Sequence, residues 1–158
     1  VLHVLHRHGV EFNRNRLLHR LMFCKNDWER ADSRKKSANR FAFFYPWKLN
    51  LNLMRQEARH LLGKRNFKSF QAADKKLRPA QRHLKDICVR KKGDFIYIDI
   101  ESRGFLYKMT RNIVGTLIEI GRGKLPAGSL PHILKSKDRK LAGPTAPACG
   151  LTLLEVKY

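Results

Sequence analysis

Hydrophobic residues recur at helical spacing in three stretches of the chain. The first stretch covers residues 53–62, where Asn50 or Asn52 is placed to cap the start of a helix. The second covers residues 106–120 and forms one apolar face. A shorter third stretch opens near Ser129. These patterns predict three helices.

Other stretches carry the pattern of strands. Residues 84–89 and 95–100 predict the two strands of a hairpin, and residues 91–94 predict its turn because they contain a Gly-Asp pair. Residues 151–158 predict a final strand. Strands and helices in this order are typical of an α+β fold, in which helices lie on one face of a mainly antiparallel sheet.

The first 40 residues differ in composition from the rest. They are crowded with Arg, His and Asn, and their broken helical spacing at Leu17, Leu18, Leu21 and Met22 predicts a marginal helix followed by a disordered arm. We therefore divide the chain into a basic segment of uncertain structure, residues 1–40, and a folded α+β domain, residues 41–158.

Charge narrows the range of partners. The chain has 158 residues with 34 Lys and Arg against 13 Asp and Glu, a formal net charge of +21. So large an excess favours a polyanionic partner, and nucleic acid is the usual one because neutralised phosphates release counterions. A membrane surface is the rival polyanion, but no apolar run approaches the roughly 20 residues needed to cross a bilayer. We therefore predict nucleic-acid binding and no membrane association.

Cysteine and histidine usage indicates neither disulfides nor metal. The three cysteines are far apart and form no CxxC pair, so we expect reduced thiols and a cytoplasmic location. The first residues form no signal peptide, since histidines and an arginine interrupt them. His3, His6 and His8 lack a carboxylate partner, so we interpret them as part of a polar arm and predict no metal site.

The most informative segment for chemistry is residues 103–115. A glycine and two aromatic residues lead into a helix whose first turns carry Lys108 and Arg111. The start of a helix offers free N–H groups and a positive dipole end, so these cations could hold a phosphate or a carboxylate. The alternative is a solvated basic face on an ordinary amphipathic helix. Residues 121–124 lack the spacing of a triphosphate-binding loop, which leaves a basic turn that contacts RNA or caps the helix.

Five ordered motifs resemble those of the TruA-type tRNA pseudouridine synthases, in the C-terminal half of that family. The stretch NFKSFQA with the later Arg-Pro pair resembles the family's DFxSF segment and arginine-bearing loop, and GFLYKMTRNIVGTL resembles its GFLxxMVRNIVGTL signature. GRGK, SKDR and AGPTAPACGL follow in the family's order. The resemblance covers roughly residues 43–158 and implies half of a pseudouridine-synthase catalytic fold.

The resemblance implies an isomerase that converts uridine to pseudouridine in the anticodon stem-loop of tRNA, as a homodimer and without a cofactor. The target uridine is flipped into a positively charged cleft. By motif position, Arg111 is the arginine that pairs with the catalytic aspartate and keeps it ionised. Other basic residues are expected to contact RNA: Lys68, Arg78, Arg82, Arg103, Lys108, Arg122 and Lys124.

The sequence also departs from the family. It contains neither the nucleophile's RTDxGVH motif nor the YRY strand, and Asp27 and Asp32 lie in contexts unlike that motif. We therefore expect the chain to be inactive alone, and we hypothesise that residues 1–40 come from a shifted reading frame or a misjoined gene. The alternative function is a non-catalytic RNA-binding module derived from the family. A basic ribosome-associated protein explains the charge but not the ordered motifs.

Overall fold

The computed structural model describes residues 16–24, 42–74 and 79–157. The strands are β1 (Arg16–Cys24), β2 (Phe43–Phe44), β3 (Gly63–Asn66), β4 (Gln81–Lys92), β5 (Phe95–Ser102) and β6 (Leu151–Lys157). The helices are α1 (Leu51–Ala58), α2 (Met109–Gly121) and α3 (Ser129–Ser136), with short 3₁₀ turns at Arg59–Leu61, Lys68–Phe70, Arg139–Leu141 and Ala148–Gly150. None of the helices in these ranges is long and apolar enough to cross a membrane.

The strands form one sheet in the order β2-β1-β5-β4-β3, and β6 also pairs with β1. All pairings are antiparallel except the short one between β1 and β2. The predicted hairpin is β4–β5, and its turn uses Gly93 at a φ of +58°, a conformation that glycine adopts without a steric penalty. The predicted α+β fold with a mainly antiparallel sheet is confirmed.

One face of the sheet carries the core. Along β5, alternate residues are buried, with Ile98 and Ile100 fully so, while Tyr97 and Asp99 on the opposite face stay partly exposed. The buried side chains of all three helices join these isoleucines in one hydrophobic cluster, in which Ile113 of α2 is also fully buried. The helices therefore lie on one face of the sheet, as the pattern predicts.

The predicted marginal helix at residues 17–22 is wrong, because these residues lie in β1. This strand pairs with β5 on one side and with β6 on the other. Leu21 is opposite Ile98 and Leu151 and has no exposed surface. Pairing on both edges stabilises the extended backbone far more than the weak helical spacing of these residues favours a helix. The predicted disordered arm lies largely outside the described residues.

A second difference is a strand before the hairpin that the hydrophobic pattern does not predict. Residues Gly63–Asn66 form the edge strand β3, and Phe67 and Phe70 just beyond it are fully buried. The basic residues Lys64 and Arg65 are exposed on this edge. Charged side chains on an edge strand are a known means of preventing further strand pairing.

The start of α1 agrees with the pattern, whereas the start of α2 differs from it. The Asn50 carboxamide caps α1 by accepting from Leu53 N at 3.0 Å, which confirms one of the two predicted caps. Helix α2 begins at Met109 instead of residue 106, since Lys108 adopts a left-handed backbone conformation with φ of 56°. The three residues before Met109 thus form a turn that leads into the helix.

Candidate functional site

The loop between β5 and α2 leads into an uncapped helix start. Lys108 occupies the N-cap position, and its side chain makes no capping hydrogen bond. The first turn of α2 contains no acidic residue. A helix start of this kind carries partial positive charge and attracts anions.

Contacts with β1 fix this helix start against the sheet. His19 Nδ1 lies 3.1 Å from the Thr110 hydroxyl oxygen, and the His19 ring packs against Phe105 with ring centroids 4.4 Å apart. Burial lowers the pKa of His19, which favours the neutral ring. On the other side, the backbone N–H of Ala72 donates to the Tyr107 carbonyl at 3.1 Å. The residues before Arg111 are therefore held from both sides.

Arg111 is joined to the loop before β6 by two hydrogen bonds. Its Nε donates to the Ala146 carbonyl oxygen at 2.6 Å, and the Ala146 N–H donates to the Arg111 carbonyl oxygen at 3.1 Å. The side chain is half-buried, and among the described residues its terminal nitrogens have no hydrogen-bond acceptor. One edge of the guanidinium is thus anchored, and the terminal nitrogens keep donors for an anionic group.

The same loop packs unusually close to α2. A Cβ placed on Gly115 would lie 1.7 Å from the Pro144 carbonyl oxygen, and one placed on Gly143 would lie 2.7 Å from Thr116 Cα. The Gly143 N–H donates to the Thr116 hydroxyl at 2.9 Å. Two glycines thus allow backbone-to-backbone contact that places the loop beside Arg111.

The predicted RNA-contacting residues fall into two groups at opposite ends of α2. The ends of β3 and β5 and the start of β4 meet at one end of the sheet, as the pairings of residues 66 with 81 and of 84 with 102 require. Four of the predicted residues lie at or just beyond this end, where α2 also starts: Lys68, Arg82, Arg103 and Lys108. Arg78 lies outside the described residues.

The remaining two, Arg122 and Lys124, follow the end of α2. A 13-residue helix is about 20 Å long, so these residues are far from Arg111. Both pair with Glu119, at 3.3 Å for Arg122 and 4.0 Å for Lys124. The Arg122 guanidinium also lies over the Trp47 ring, 5.8 Å from its centroid. Trp47 is 60% exposed, and no motif or spacing in the chain predicts that it joins a basic-aromatic surface.

An ion-pair cluster, which the sequence pattern does not predict, lies on the open face of the sheet. Arg20 forms two hydrogen bonds to the Asp99 carboxylate, at 2.7 and 3.1 Å, and Arg90 pairs with the same carboxylate. The hydrogen bond to Asp99 raises the pKa of Arg20. Strands β1, β4 and β5 bring these residues together, and Arg20 lies in β1, for which the sequence predicts no strand pairing. Asp99 is therefore occupied by two arginines and is not free for other chemistry.

The described residues contain no cluster of three or more His, Cys, Asp or Glu side chains suited to a metal ion. His3, His6 and His8 lie outside these ranges, as do Asp27 and Asp32. Within the described part of the chain, the functional site is thus a set of hydrogen-bond donors and positive charges around Arg111.

Fold and site together define a strongly basic α+β domain with an arginine held at a helix start. The family model of tRNA pseudouridine synthase matches residues 58–158, and the chain belongs to this family. The predicted resemblance to the C-terminal half of TruA-type enzymes is confirmed by this match and by the relatives described next.

Curated relatives named tRNA pseudouridine synthase A match the same part of the chain. The protein of Blochmanniella pennsylvanica is 44% identical over 119 residues, which are 75% of this chain and 46% of the relative. The protein of Aliivibrio fischeri is 46% identical over 110 residues, 70% of this chain and 42% of the relative. The protein of Moorella thermoacetica is 44% identical over 118 residues, 72% of this chain and 48% of the relative. The chain thus spans less than half the length of these relatives.

Proposed function

We propose that this chain provides the C-terminal half of a tRNA pseudouridine synthase that isomerises uridines in the anticodon stem-loop. The observation that carries the proposal is the geometry of Arg111. Its Nε is fixed to Ala146 at 2.6 Å, while its terminal nitrogens have no acceptor among the described residues. An arginine anchored on one edge at a positive helix end suits a carboxylate that arrives from another segment.

In this proposal Arg111 pairs with a catalytic aspartate that the sequence in hand does not contain. The pairing keeps the aspartate ionised and oriented, because a nearby guanidinium favours the charged form of a carboxyl group. The aspartate attacks the nucleoside and the N1–C1′ bond breaks. The base rotates and C5 bonds to C1′, which releases the aspartate carboxylate; C5 then loses its proton while N1 gains one. The isomerisation is balanced without an oxidant or reductant, in accord with the expected absence of a cofactor.

The tRNA is held by the basic residues at the end of the sheet where α2 starts. Lys68, Arg103 and Lys108 are exposed there, so they are free to contact phosphates. Arg82 is half-buried, and its Nη1 donates to the carbonyls of Pro79 and Gln81 at 2.7 and 2.6 Å. We assign it a supporting role within this surface. We further propose a cytoplasmic homodimer as the working form.

The first test uses the purified chain and unmodified tRNA. We expect binding that weakens steeply between 50 and 200 mM salt, by about 10³-fold or more if six phosphates are contacted. We expect no pseudouridine. Product from the chain alone would assign the nucleophile to this chain, with Asp27 or Asp32 as the candidates, and would refute the requirement for a second half.

The second test joins the chain to a half that carries RTDxGVH. Arg111→Ala should abolish turnover and leave most tRNA binding intact, whereas Arg59→Ala removes the same charge from an exposed position and should leave turnover unchanged. Near-normal turnover of Arg111→Ala would overturn its role. A large loss of tRNA affinity would instead make Arg111 a phosphate contact. If the joined protein binds tRNA but never forms product, the chain is a non-catalytic RNA-binding module.

A further inference from the structure

Arg139 differs from the other cations around it because its guanidinium is engaged inside the protein. Its Nη1 donates to the carbonyl oxygens of Ala142 and Gly143, at 3.2 and 2.9 Å. Its Nη2 lies 3.1 Å from Asn112 Oδ1 and 3.3 Å from the Thr145 hydroxyl. Both terminal nitrogens are thus committed to the chain, which leaves them unavailable to RNA.

Asn112 is the point at which these bonds converge. It is fully buried in α2, and its Oδ1 accepts from the Thr145 hydroxyl at 2.6 Å as well as from Arg139. Its Nδ2 donates to the Phe70 carbonyl oxygen at 2.7 Å. Only this orientation of the amide matches its acceptor to two donors and its donor to a carbonyl. The network therefore joins α2, the 3₁₀ turn before β4 and the loop before β6 in one arrangement.

This hydrogen-bond network is adjacent in sequence to both partners of the contact between Arg111 and Ala146. Asn112 follows Arg111 along α2, and Thr145 precedes Ala146, whose carbonyl accepts from Arg111 Nε. A shift of the loop at residues 142–145 would therefore move the acceptor on which Arg111 depends. No other described hydrogen bond fixes the Arg111 side chain.

We propose that Arg139 is a positioning residue, which holds residues 142–146 so that the Ala146 carbonyl orients the Arg111 guanidinium. The consequence for catalysis rests on the function proposed above, whereas the positioning itself does not. The exposed neighbours Lys137 and Lys140 make no comparable contacts among the described residues, so a surface role in RNA binding suits them and not Arg139.

The test measures hydrogen exchange of the Arg111 Nε–H by NMR in the purified chain without tRNA. In the unaltered chain we expect slow exchange, since this group donates at 2.6 Å to the carbonyl of the buried residue Ala146. Arg139→Gln should accelerate it at least tenfold, because one short amide cannot reproduce four donor contacts. Arg139→Lys should recover only part of the protection. Lys140→Gln, which changes an exposed neighbouring charge, should leave the exchange unchanged.

The amide of Ile98 in the middle of the sheet serves as the internal reference for global unfolding. Faster exchange at the Arg111 Nε–H with unchanged exchange at the Ile98 amide supports the positioning role, because a general loss of stability would accelerate exchange at both groups. Unchanged protection of the Arg111 Nε–H in folded Arg139→Gln overturns the proposal. If that variant does not fold, Arg139→Lys takes its place, and protection of the Arg111 Nε–H as strong as in the unaltered chain overturns the proposal equally.

A second readout applies to the joined enzyme. Arg139→Gln should lower kcat at least tenfold with little change in tRNA affinity, and Arg139→Lys should restore part of kcat. A loss of tRNA affinity with unchanged kcat would instead make Arg139 an RNA contact. If the unaltered enzyme is itself inactive, the proposed function fails, but the exchange measurement on Arg111 still decides whether Arg139 positions it.

Discussion

The close contact between α2 and the loop before β6 gives a sharp prediction for Gly115→Ala. The added Cβ would lie 1.7 Å from the Pro144 carbonyl oxygen, whereas such contacts are essentially never below 3.0 Å, so the loop must move by about 1.3 Å. The oxygen belongs to the backbone and cannot rotate away as a side chain would. The movement would break the bonds from Gly143 to Thr116 and between Arg111 and Ala146.

The magnitude follows from three contributions. Loss of two or three hydrogen bonds lowers the free energy of unfolding by about 1 kcal/mol each. Overpacking lowers it by about 1–3 kcal/mol, and the better helix propensity of alanine restores about 1 kcal/mol. We therefore expect a net loss of about 3 kcal/mol, a large part of the roughly 5–15 kcal/mol that stabilises a typical domain.

Urea denaturation followed by far-UV circular dichroism measures this loss. Gly104→Ala is the matched control, because its Cβ meets no atom within 4 Å, and it should change the free energy of unfolding by less than about 0.5 kcal/mol. If Gly115→Ala is as stable as Gly104→Ala, the contact between α2 and the loop is not as described, and the anchoring of Arg111 fails with it.

Three further predictions concern polar groups that are buried or partly buried. Burial lowers the pKa of His19 below the unfolded value near 6.5, so the unfolded state binds more protons than the folded state. The contribution of His19 to stability is therefore present above that pH and is lost as the pH falls. His19→Asn should flatten the pH dependence of the unfolding free energy between pH 7 and 5, and an unchanged slope would contradict this. Glu57 is 4% exposed, and its carboxylate accepts from two backbone N–H groups at the start of α3, at 2.7 and 3.2 Å. Glu57→Gln should therefore lower the free energy of unfolding, measured by urea denaturation, by about 1–2 kcal/mol. A loss below about 0.5 kcal/mol would be inconsistent with this cap. Asp99→Asn should lower the free energy of unfolding by about 1–2 kcal/mol, because it leaves Arg20 and Arg90 facing a neutral group on the sheet. A variant that is more stable in thermal unfolding would show that the ion-pair cluster is net unfavourable.

Local sequence was sufficient for the central hairpin and for the body of α2. In the hairpin, apolar residues alternate on β5 and Gly93 takes the positive φ that the turn requires, so the pattern and the backbone agree. In α2, the apolar face recurs at helical spacing and became the buried face. The start of α2 was predicted three residues early, since apolar spacing does not reveal that Lys108 interrupts the helix with a left-handed conformation.

The outcome was different for β1, where the sequence indicated the wrong secondary structure. Its extended form depends on β5 and β6, the latter more than 120 residues away in sequence. Likewise, Phe67 and Phe70 gave no periodic signal, because Phe67 directly follows a four-residue edge strand and Phe70 ends a single 3₁₀ turn. Elements that are stabilised by distant partners carry little of their structure in their own spacing.

The functional site likewise has features that the sequence alone determines and features that only the tertiary structure decides. The sequence by itself determined the strong positive charge, the motif order and the position of Arg111 on the first turns of a helix. Only the tertiary structure decided which edge of the Arg111 guanidinium is anchored and that Arg139 faces inward. It also separated Arg122 and Lys124 from the other basic residues. The physical reason is that hydrogen-bond partners 35 residues apart, and charges at opposite ends of one helix, are placed by packing and not by local spacing.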